Sequence, residues 1–111
     1  MIKRKEDVGF TMTAGGAKVL RLMSDGENYT VKGIGIAHVI REKGCGNDYH
    51  PHPDNGEFFY IIRGEGEYCD NGELVTVKAG DATIVMPGES HGIRNLKDEP
   101  LEYVAVMLEK I

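Results

Sequence analysis

The sequence predicts an all-β protein that folds as one small barrel. Fifteen glycines and four prolines divide the chain into short segments rich in β-branched and aromatic residues. No long segment carries the apolar period of a helix. A length of 111 residues is that of a single domain. Short strands separated by turns at regular intervals are typical of a sandwich or barrel.

Taken in order, eight segments have the composition of strands, and most are joined by loops of a few residues. Asp70-Asn71-Gly72 is predicted to be a tight hairpin turn, because Asn-Gly accepts the positive φ that such turns need. Residues 1–14 have mixed polarity and are predicted to form an N-terminal arm, with the barrel spanning 15–111. The predicted strands are Ala17–Met23, Gly33–Ile40, Gly56–Ile62, Gly66–Cys69, Glu73–Val77, Ala82–Met86, His91–Asn95 and Leu101–Leu108.

Composition and charge argue against two classes of partner. The formal net charge is −5, and the basic cluster Lys3-Arg4-Lys5 reads as a solvated terminus, so we expect no nucleic-acid binding. The longest apolar runs, Phe58–Ile62 and Val104–Leu108, are too short to cross a bilayer. The N-terminus has no apolar segment of the secretory type, so we expect a cytoplasmic protein with reduced cysteines.

Three histidines and one glutamate carry the chemistry of the sequence. His50 and His52 lie two residues apart, which places both side chains on one face of a strand, and Glu57 and His91 would arrive from other strands. Neutral imidazole and carboxylate groups bind divalent first-row metals, and the lack of thiolate ligands argues against a structural zinc site. Four protein ligands leave positions open on a six-coordinate ion for water or substrate.

Two motifs resemble those of the cupin superfamily. The first reads from Gly44 through the two histidines and Glu57 to Gly64, and the second reads from Gly80 through His91 to Asn95. All four ligand positions of the family pattern are filled. One departure is visible: the pattern expects a proline two residues before Gly88, where Met86 stands.

The resemblance implies a single double-stranded β-helix, or jelly-roll barrel, of the small cupin type that is often compared with oxalate decarboxylase. It also implies one divalent metal per chain, with Mn, Fe, Ni and Zn left open, and a homodimer that pairs through edge strands. The arm of residues 1–14 is long enough to cross onto such a partner.

Four further residues are candidates for substrate contact. Strict alternation along the strand that carries Glu57 places Phe59, Ile61 and Arg63 on its ligand face, the first two as an apolar wall and the arginine at the rim. Asn95 shares parity with His91 and is expected either to be structural or to support the ligands.

The remaining residues of interest are expected to be ordinary. Tyr60 and Ile62 would face the opposite layer as core, and His38 matches no ligand position. Cys45 and Cys69 have no C-x-x-C spacing and read as free thiols.

The function predicted from these features is coarse. A metal of this kind would bind or transform a small, oxygen-rich, anionic molecule of carboxylate or sugar-derived type. An enzyme would be a metal-dependent decarboxylase, dioxygenase or isomerase, as the resemblance implies. The alternatives are a non-catalytic binding or sensor protein and a degenerate cupin with a structural role, since fold does not fix function.

Overall fold

A computed structural model describes residues 1–24, 35–45 and 49–111 of the chain. Ten strands account for most of them, and a short 3-10 turn at Lys5–Asp7 precedes the first strand. The strands are β1 Thr11–Met12, β2 Lys18–Met23, β3 Gly35–Arg41, β4 His50–Pro51, β5 Asn55–Arg63, β6 Glu65–Asp70, β7 Glu73–Lys78, β8 Ala82–Val85, β9 Ser90–Arg94 and β10 Leu101–Glu109.

The strands form two antiparallel sheets. The larger sheet has six strands in the order β1-β2-β3-β10-β5-β8, and the smaller has four in the order β4-β9-β6-β7. Strands distant in sequence are neighbours in both, as in β3 beside β10 and β4 beside β9. This is the double-stranded β-helix that the cupin resemblance implied.

The core fills the space between the two sheets. Alternate residues of β5 and β10 supply its centre, with Ile61 and Leu101 fully buried and Tyr103 nearly so. Tyr68 and Ile93 face them from the smaller sheet. Period-2 alternation along these strands therefore sends one face of each sheet inward.

The hairpin turn predicted at Asn71-Gly72 is confirmed, and a second tight corner lies at Gly64. The β6–β7 hairpin turns at Asn71 and Gly72, with φ of 51° and 94°. Gly64 separates β5 from β6 with φ of 82°, and its backbone lies so close to the carbonyl of Pro100 that a Cβ would collide with it. Glycine is required at that corner by both conformation and space.

One prediction about the strands is wrong, and another falls partly outside the described residues. Tyr60 and Ile62 were predicted to be core but are 44% and 45% exposed, because nothing in the described chain covers the outer face of the six-stranded sheet around them. The strand predicted to begin at Gly33 is seen from Gly35, since residues 33 and 34 lie outside the described residues.

The N-terminal segment lies along the barrel of its own chain. β1 pairs with β2 and so extends the six-stranded sheet by one short strand. The backbone N–H of Thr13 donates to the carbonyl of Ala17, and Lys3 Nζ donates to the carbonyl of Leu22. Among the described residues, no helix is long and apolar enough to span a membrane.

Candidate metal centre

Two of the predicted ligands come from a very short strand and the residue just beyond it. β4 contains only His50 and Pro51, and His50 pairs with His91 of β9. His52 lies past the end of the strand, where its N–H donates to the carbonyl of Glu89 and its carbonyl accepts from the N–H of Gly88. These two backbone bonds, and not a continuous strand, hold His52 beside His50.

The other two predicted ligands complete a tight group. Glu57 projects from β5 and His91 from β9, so that both sheets contribute. His52 Nε2 lies 2.8 Å from His50 Nε2 and 3.0 Å from His91 Nε2. Glu57 Oε1 lies 3.0 Å from His91 Nε2 and 3.4 Å from His52 Nε2. All four donor atoms lie within 4.8 Å of one another.

These separations fit a single divalent ion. First-row metals bind nitrogen and oxygen at about 2.0–2.2 Å, so two ligands at right angles on one ion lie about 3 Å apart. Three of the four separations are between 2.8 and 3.0 Å. Imidazole and carboxylate together suit Mn, Fe, Ni or Zn. The group is therefore one that could hold a metal ion, as the sequence predicted.

Two polar residues fix the orientation of the histidine rings. Asn55 Oδ1 lies 2.7 Å from Nδ1 of His52, and the hydroxyl of Tyr68 lies 2.9 Å from Nδ1 of His91. Both contacts leave Nε2 of the ring directed at the other donors. Hydrogen bonds of this kind orient metal-binding histidines in general.

Sequence analysis missed both of these residues. Asn55 lies between two ligand positions, which was the available signal. Tyr68 reaches His91 only through the pairing of β6 with β9, and no local pattern reveals that pairing.

The environment of Tyr68 keeps its hydroxyl protonated. Burial raises the pKa of Tyr68 to about 12, while the nearby hydroxyl of Thr83 acts in the opposite direction. That hydroxyl is itself buried, and its Oγ1 meets no hydrogen-bond partner of good geometry among the described residues. Tyr68 therefore faces His91 as a neutral group that can either donate or accept a proton in a hydrogen bond.

A cavity of about 660 Å³ opens beside the four donors. Phe59 forms part of its wall, and the ring of Phe59 lies 5.0 Å from that of His91. Glu57 is the one carboxylate among the described residues that line it, and Arg21 and Arg41 are the cations. The apolar part of the wall includes Val19, Met23, Ala37, Val39, Phe59, Ala105 and Met107.

Arg41 is a buried arginine at this cavity, with 5% of its surface exposed. Its Nε donates to the hydroxyl of Tyr103 at 3.0 Å, and its Nη1 lies 3.6 Å from Sγ of Cys45. Cys45 in turn donates to the carbonyl of Gly15. Cys45 thus packs against Arg41 as a free, buried thiol, and Cys69 is also free.

Of the predicted substrate residues, the structure brings only Phe59 to the cavity wall. Ile61 shares its face of β5 but is completely buried in the core. Asn95 is also completely buried, and its amide donates to the carbonyls of Arg41 and Glu99. The structure therefore gives Asn95 the structural role that the sequence left open.

Arg63 lies outside the cavity. Its Nε donates to Glu99 at 3.2 Å and its Nη1 to Glu102 at 3.4 Å. The hydrogen bond to Glu99, followed by that to Glu102, raises the pKa of the Arg63 guanidinium. His38 lies nearby, with Nε2 3.0 Å from Glu102 Oε1.

A family model described as "Cupin domain" matches residues 37–107. The chain belongs to the cupin family. The matched range contains all four donors, six whole strands and most of β3 and β10, which confirms the family predicted from the two motifs.

Named relatives of this cupin include proteins that act on or bind oxalate. An "Oxalate-binding protein" of Thermotoga maritima is 44% identical over 59 residues, which is 53% of this chain and 49% of the relative. "Oxalate decarboxylase OxdC" of Bacillus subtilis is 32% identical over 97 residues, 82% of this chain but only 25% of the relative. The chain thus spans about half or less of the length of these two proteins.

Solved structures agree on the fold. The crystal structure of a "predicted oxalate decarboxylase" from Thermotoga maritima has a TM-score of 0.86 and 27% identity, covering 99% of this cupin and 100% of that chain. A cupin from Shewanella frigidimarina has a TM-score of 0.80 at 18% identity, covering 97% of this chain and 89% of that one. The second likeness bears on the fold alone.

Proposed function

We propose that this cupin binds one divalent metal ion through His50, His52, Glu57 and His91, and that it binds a small carboxylate at that ion. The convergence of four donor atoms, with His50, His52 and Glu57 lining an open cavity, carries the proposal. A bound ion of this kind would supply open positions that accept carboxylate oxygens. Oxalate is the first ligand to test, because two relatives are named for it.

The charges of the cavity support an anionic ligand. Two arginines against one glutamate leave one net positive charge among the described wall residues, and a divalent ion adds two more. The apolar part of the wall lowers the local dielectric and so strengthens the attraction between such an ion and a carboxylate. A neutral sugar would gain much less from this arrangement.

Several finer statements belong to the same proposal. We propose that the ion is Mn, Fe, Ni or Zn, that the protein is a homodimer, and that residues 15–111 form its barrel with 1–14 as an arm. A cytoplasmic location is supported by two cysteines that are both free, as expected in a reducing compartment.

The experiment compares metal-loaded with chelator-treated protein. Elemental analysis after purification without chelator should give about one divalent ion per chain. Oxalate should then raise the melting temperature of the metal-loaded protein and leave that of the chelated protein unchanged. An equal rise in both would show that the metal is not the recognition element.

The same preparation separates binding from turnover. A decarboxylase would release carbon dioxide from the bound carboxylate, whereas a binding protein would return the carboxylate unchanged. Glu57→Gln removes the charge of one donor. It is the matched variant for the melting-temperature shift and for the assay of carbon dioxide release.

A further inference from the structure

Arg21 is an exposed residue of β2 at the cavity, two residues after the buried Val19 and just before an irregularity in the pairing of β2 with β3. Val19 and Met23, two residues away on either side, line the same cavity as Arg21. Across residues 1–24, 35–45 and 49–111, no hydrogen bond or ion pair to the guanidinium of Arg21 is found.

The register places Arg21 level with the residues that touch the metal donors. Arg21 pairs with Ala37, Ala37 with Ala105, and Ala105 with Phe59. The ring of Phe59 lies 5.0 Å from that of His91. The two residues between Arg21 and Phe59 on this row are alanines, and their short side chains leave the cavity open between the arginine and the donors.

The other arginines near the site are placed differently. Arg41 pairs with Leu101 at the far end of β3, and its Nε is directed to Tyr103. Arg63 lies outside the cavity beside Glu99. Arg21 is therefore the cavity arginine on the row that leads to the donors.

The surface next to Arg21 carries a net positive charge, although the net charge of the whole chain is negative. A second depression, of about 300 Å³, adjoins the cavity at Arg21 and is lined by Lys3, Arg4 and Asp7 of the N-terminal segment. Arg21 and these two basic residues place three positive charges against the one carboxylate of Asp7, while the whole chain has a net charge of −5. A local field of this sign attracts anions towards the cavity.

We propose that Arg21 is a second anchor for the ligand, so that the preferred ligands are short dicarboxylates longer than oxalate. This rests on the proposed function: one carboxylate would occupy the metal and the other would meet Arg21. The two carboxylates of oxalate are joined directly, so when one is bound to the ion the other also stays close to the ion. A cavity of about 660 Å³ is in the range that accepts much larger ligands.

The test is calorimetric titration of metal-loaded protein with two matched ligand series. The dicarboxylates are oxalate, malonate, succinate and glutarate, and the monocarboxylates are acetate, propionate and butyrate. In the unaltered protein, one of the longer dicarboxylates should bind more tightly than oxalate and at least about tenfold more tightly than the monocarboxylate of equal length, as a charged hydrogen bond allows.

Arg21→Gln should remove that preference and leave monocarboxylate affinity and metal content unchanged. Arg21→Lys, which keeps the charge but not the paired donors, should restore part of it. Arg63→Gln is the matched control, since it removes an exposed arginine outside the cavity, and it should behave as the unaltered protein. Arg21 is exposed, so its substitution removes little buried surface, and melting curves check that both variants fold.

The inference and the proposed function can fail separately. If dicarboxylates bind in a metal-dependent way but Arg21→Gln leaves their affinity unchanged, or lowers both series equally, Arg21 is not an anchor and the proposed function stands. If oxalate binds most tightly of the dicarboxylates, the inference is again overturned. If no carboxylate binds the metal-loaded protein, both are overturned.

Discussion

At the scale of single residues, Asn55 and Tyr68 differ in the hydrogen bonds that they allow the histidine rings to make. Asn55 Oδ1 can only accept a hydrogen bond, so it fixes the proton of His52 on Nδ1 and leaves Nε2 free to bind an ion. The hydroxyl of Tyr68 can donate or accept. His91 can therefore donate Nε2–H to Glu57 in the metal-free protein and carry its proton on Nδ1 when an ion is bound.

We expect Tyr68→Phe to weaken metal binding by about tenfold or more, because it removes the partner that holds the His91 ring and its Nδ1 proton. Competition with a chromophoric chelator measures this. Tyr60→Phe is the control, since it deletes the same hydroxyl from an exposed side chain on the outer face of the sheet. Equal affinity for all three proteins would show that Tyr68 only fills the core.

Loss of a direct ligand should cost more than loss of an orienting partner. We expect His52→Ala and Glu57→Gln each to lower metal affinity by more than the tenfold to hundredfold that outer partners cost. His38→Ala should leave it unchanged, because His38 pairs with Glu102 away from the cavity. The same chelator competition applies, and a comparable loss in His38→Ala would mean that the ion binds elsewhere.

At the scale of strands and turns, the sequence predicted most of the architecture. Alternation along β5 correctly placed Phe59 and Ile61 inward, and Asn71-Gly72 correctly marked a hairpin. The same alternation could not tell whether the second face of β5 is covered. A period of two separates two faces of a strand, but whether another layer packs on each face depends on the rest of the chain, which is why Tyr60 and Ile62 were misassigned.

The site shows the same division between local and long-range information. The four donors could be found from spacing, because ligand chemistry restricts residue type. Tyr68 could not, because it reaches His91 through the pairing of β6 with β9. The place of Arg21 at the cavity could not either, because its row runs through the pairings of β3 with β10 and of β10 with β5. The prediction that one strand carries both His50 and His52 is only partly correct. The two side chains do meet, but His50 lies on a strand of two residues and His52 is held beside it by two backbone hydrogen bonds.

We expect Gly64→Ala to destabilise the fold more than Gly72→Ala. Both positions have positive φ, so each substitution costs about 1–2 kcal/mol in backbone strain. A Cβ at Gly72 meets nothing within 4 Å, whereas one at Gly64 collides with the carbonyl of Pro100 and lies 3.1 Å from Cα of Leu101. Overpacking of this kind adds about 1–3 kcal/mol.

Urea unfolding measures the difference between these two variants. Because strain is common to both, the difference isolates the close approach of the β5–β6 corner to the segment before β10. Equal stabilities would mean that the corner moves away at little cost.

At the scale of the whole molecule, the outer face of the six-stranded sheet is the most conspicuous apolar surface described. Phe58 pairs with Ile84 of β8 and with Val106 of β10, and Tyr60 pairs with Val104. Ile84 is 52% exposed and Tyr60 is 44% exposed. An apolar patch of neighbouring residues usually marks an interface. The sequence suggested pairing through edge strands, but this face is the better candidate for contact with a second copy.

A second copy suits this face because a two-fold axis brings identical patches together. The rim is polar at one end, where Glu102 contacts both His38 and Arg63. An apolar centre with a polar rim is the usual anatomy of a protein interface. A domain of this size also buries a limited share of its own surface, so that covering the patch adds to stability.

We expect Ile84→Glu to prevent the proposed dimer from forming, because it places a charge within the apolar patch, where burial without a partner is costly. Light scattering at micromolar concentration should give twice the chain mass for the unaltered protein and the chain mass for the variant. Leu74→Glu is the control, since Leu74 is 60% exposed but lies on β7 in the smaller sheet. Metal content should be unchanged in both variants, because the donors face the cavity on the other side of the sheet. A monomer mass for the unaltered protein would refute the dimer, and a dimer that survives Ile84→Glu would move the interface away from this face.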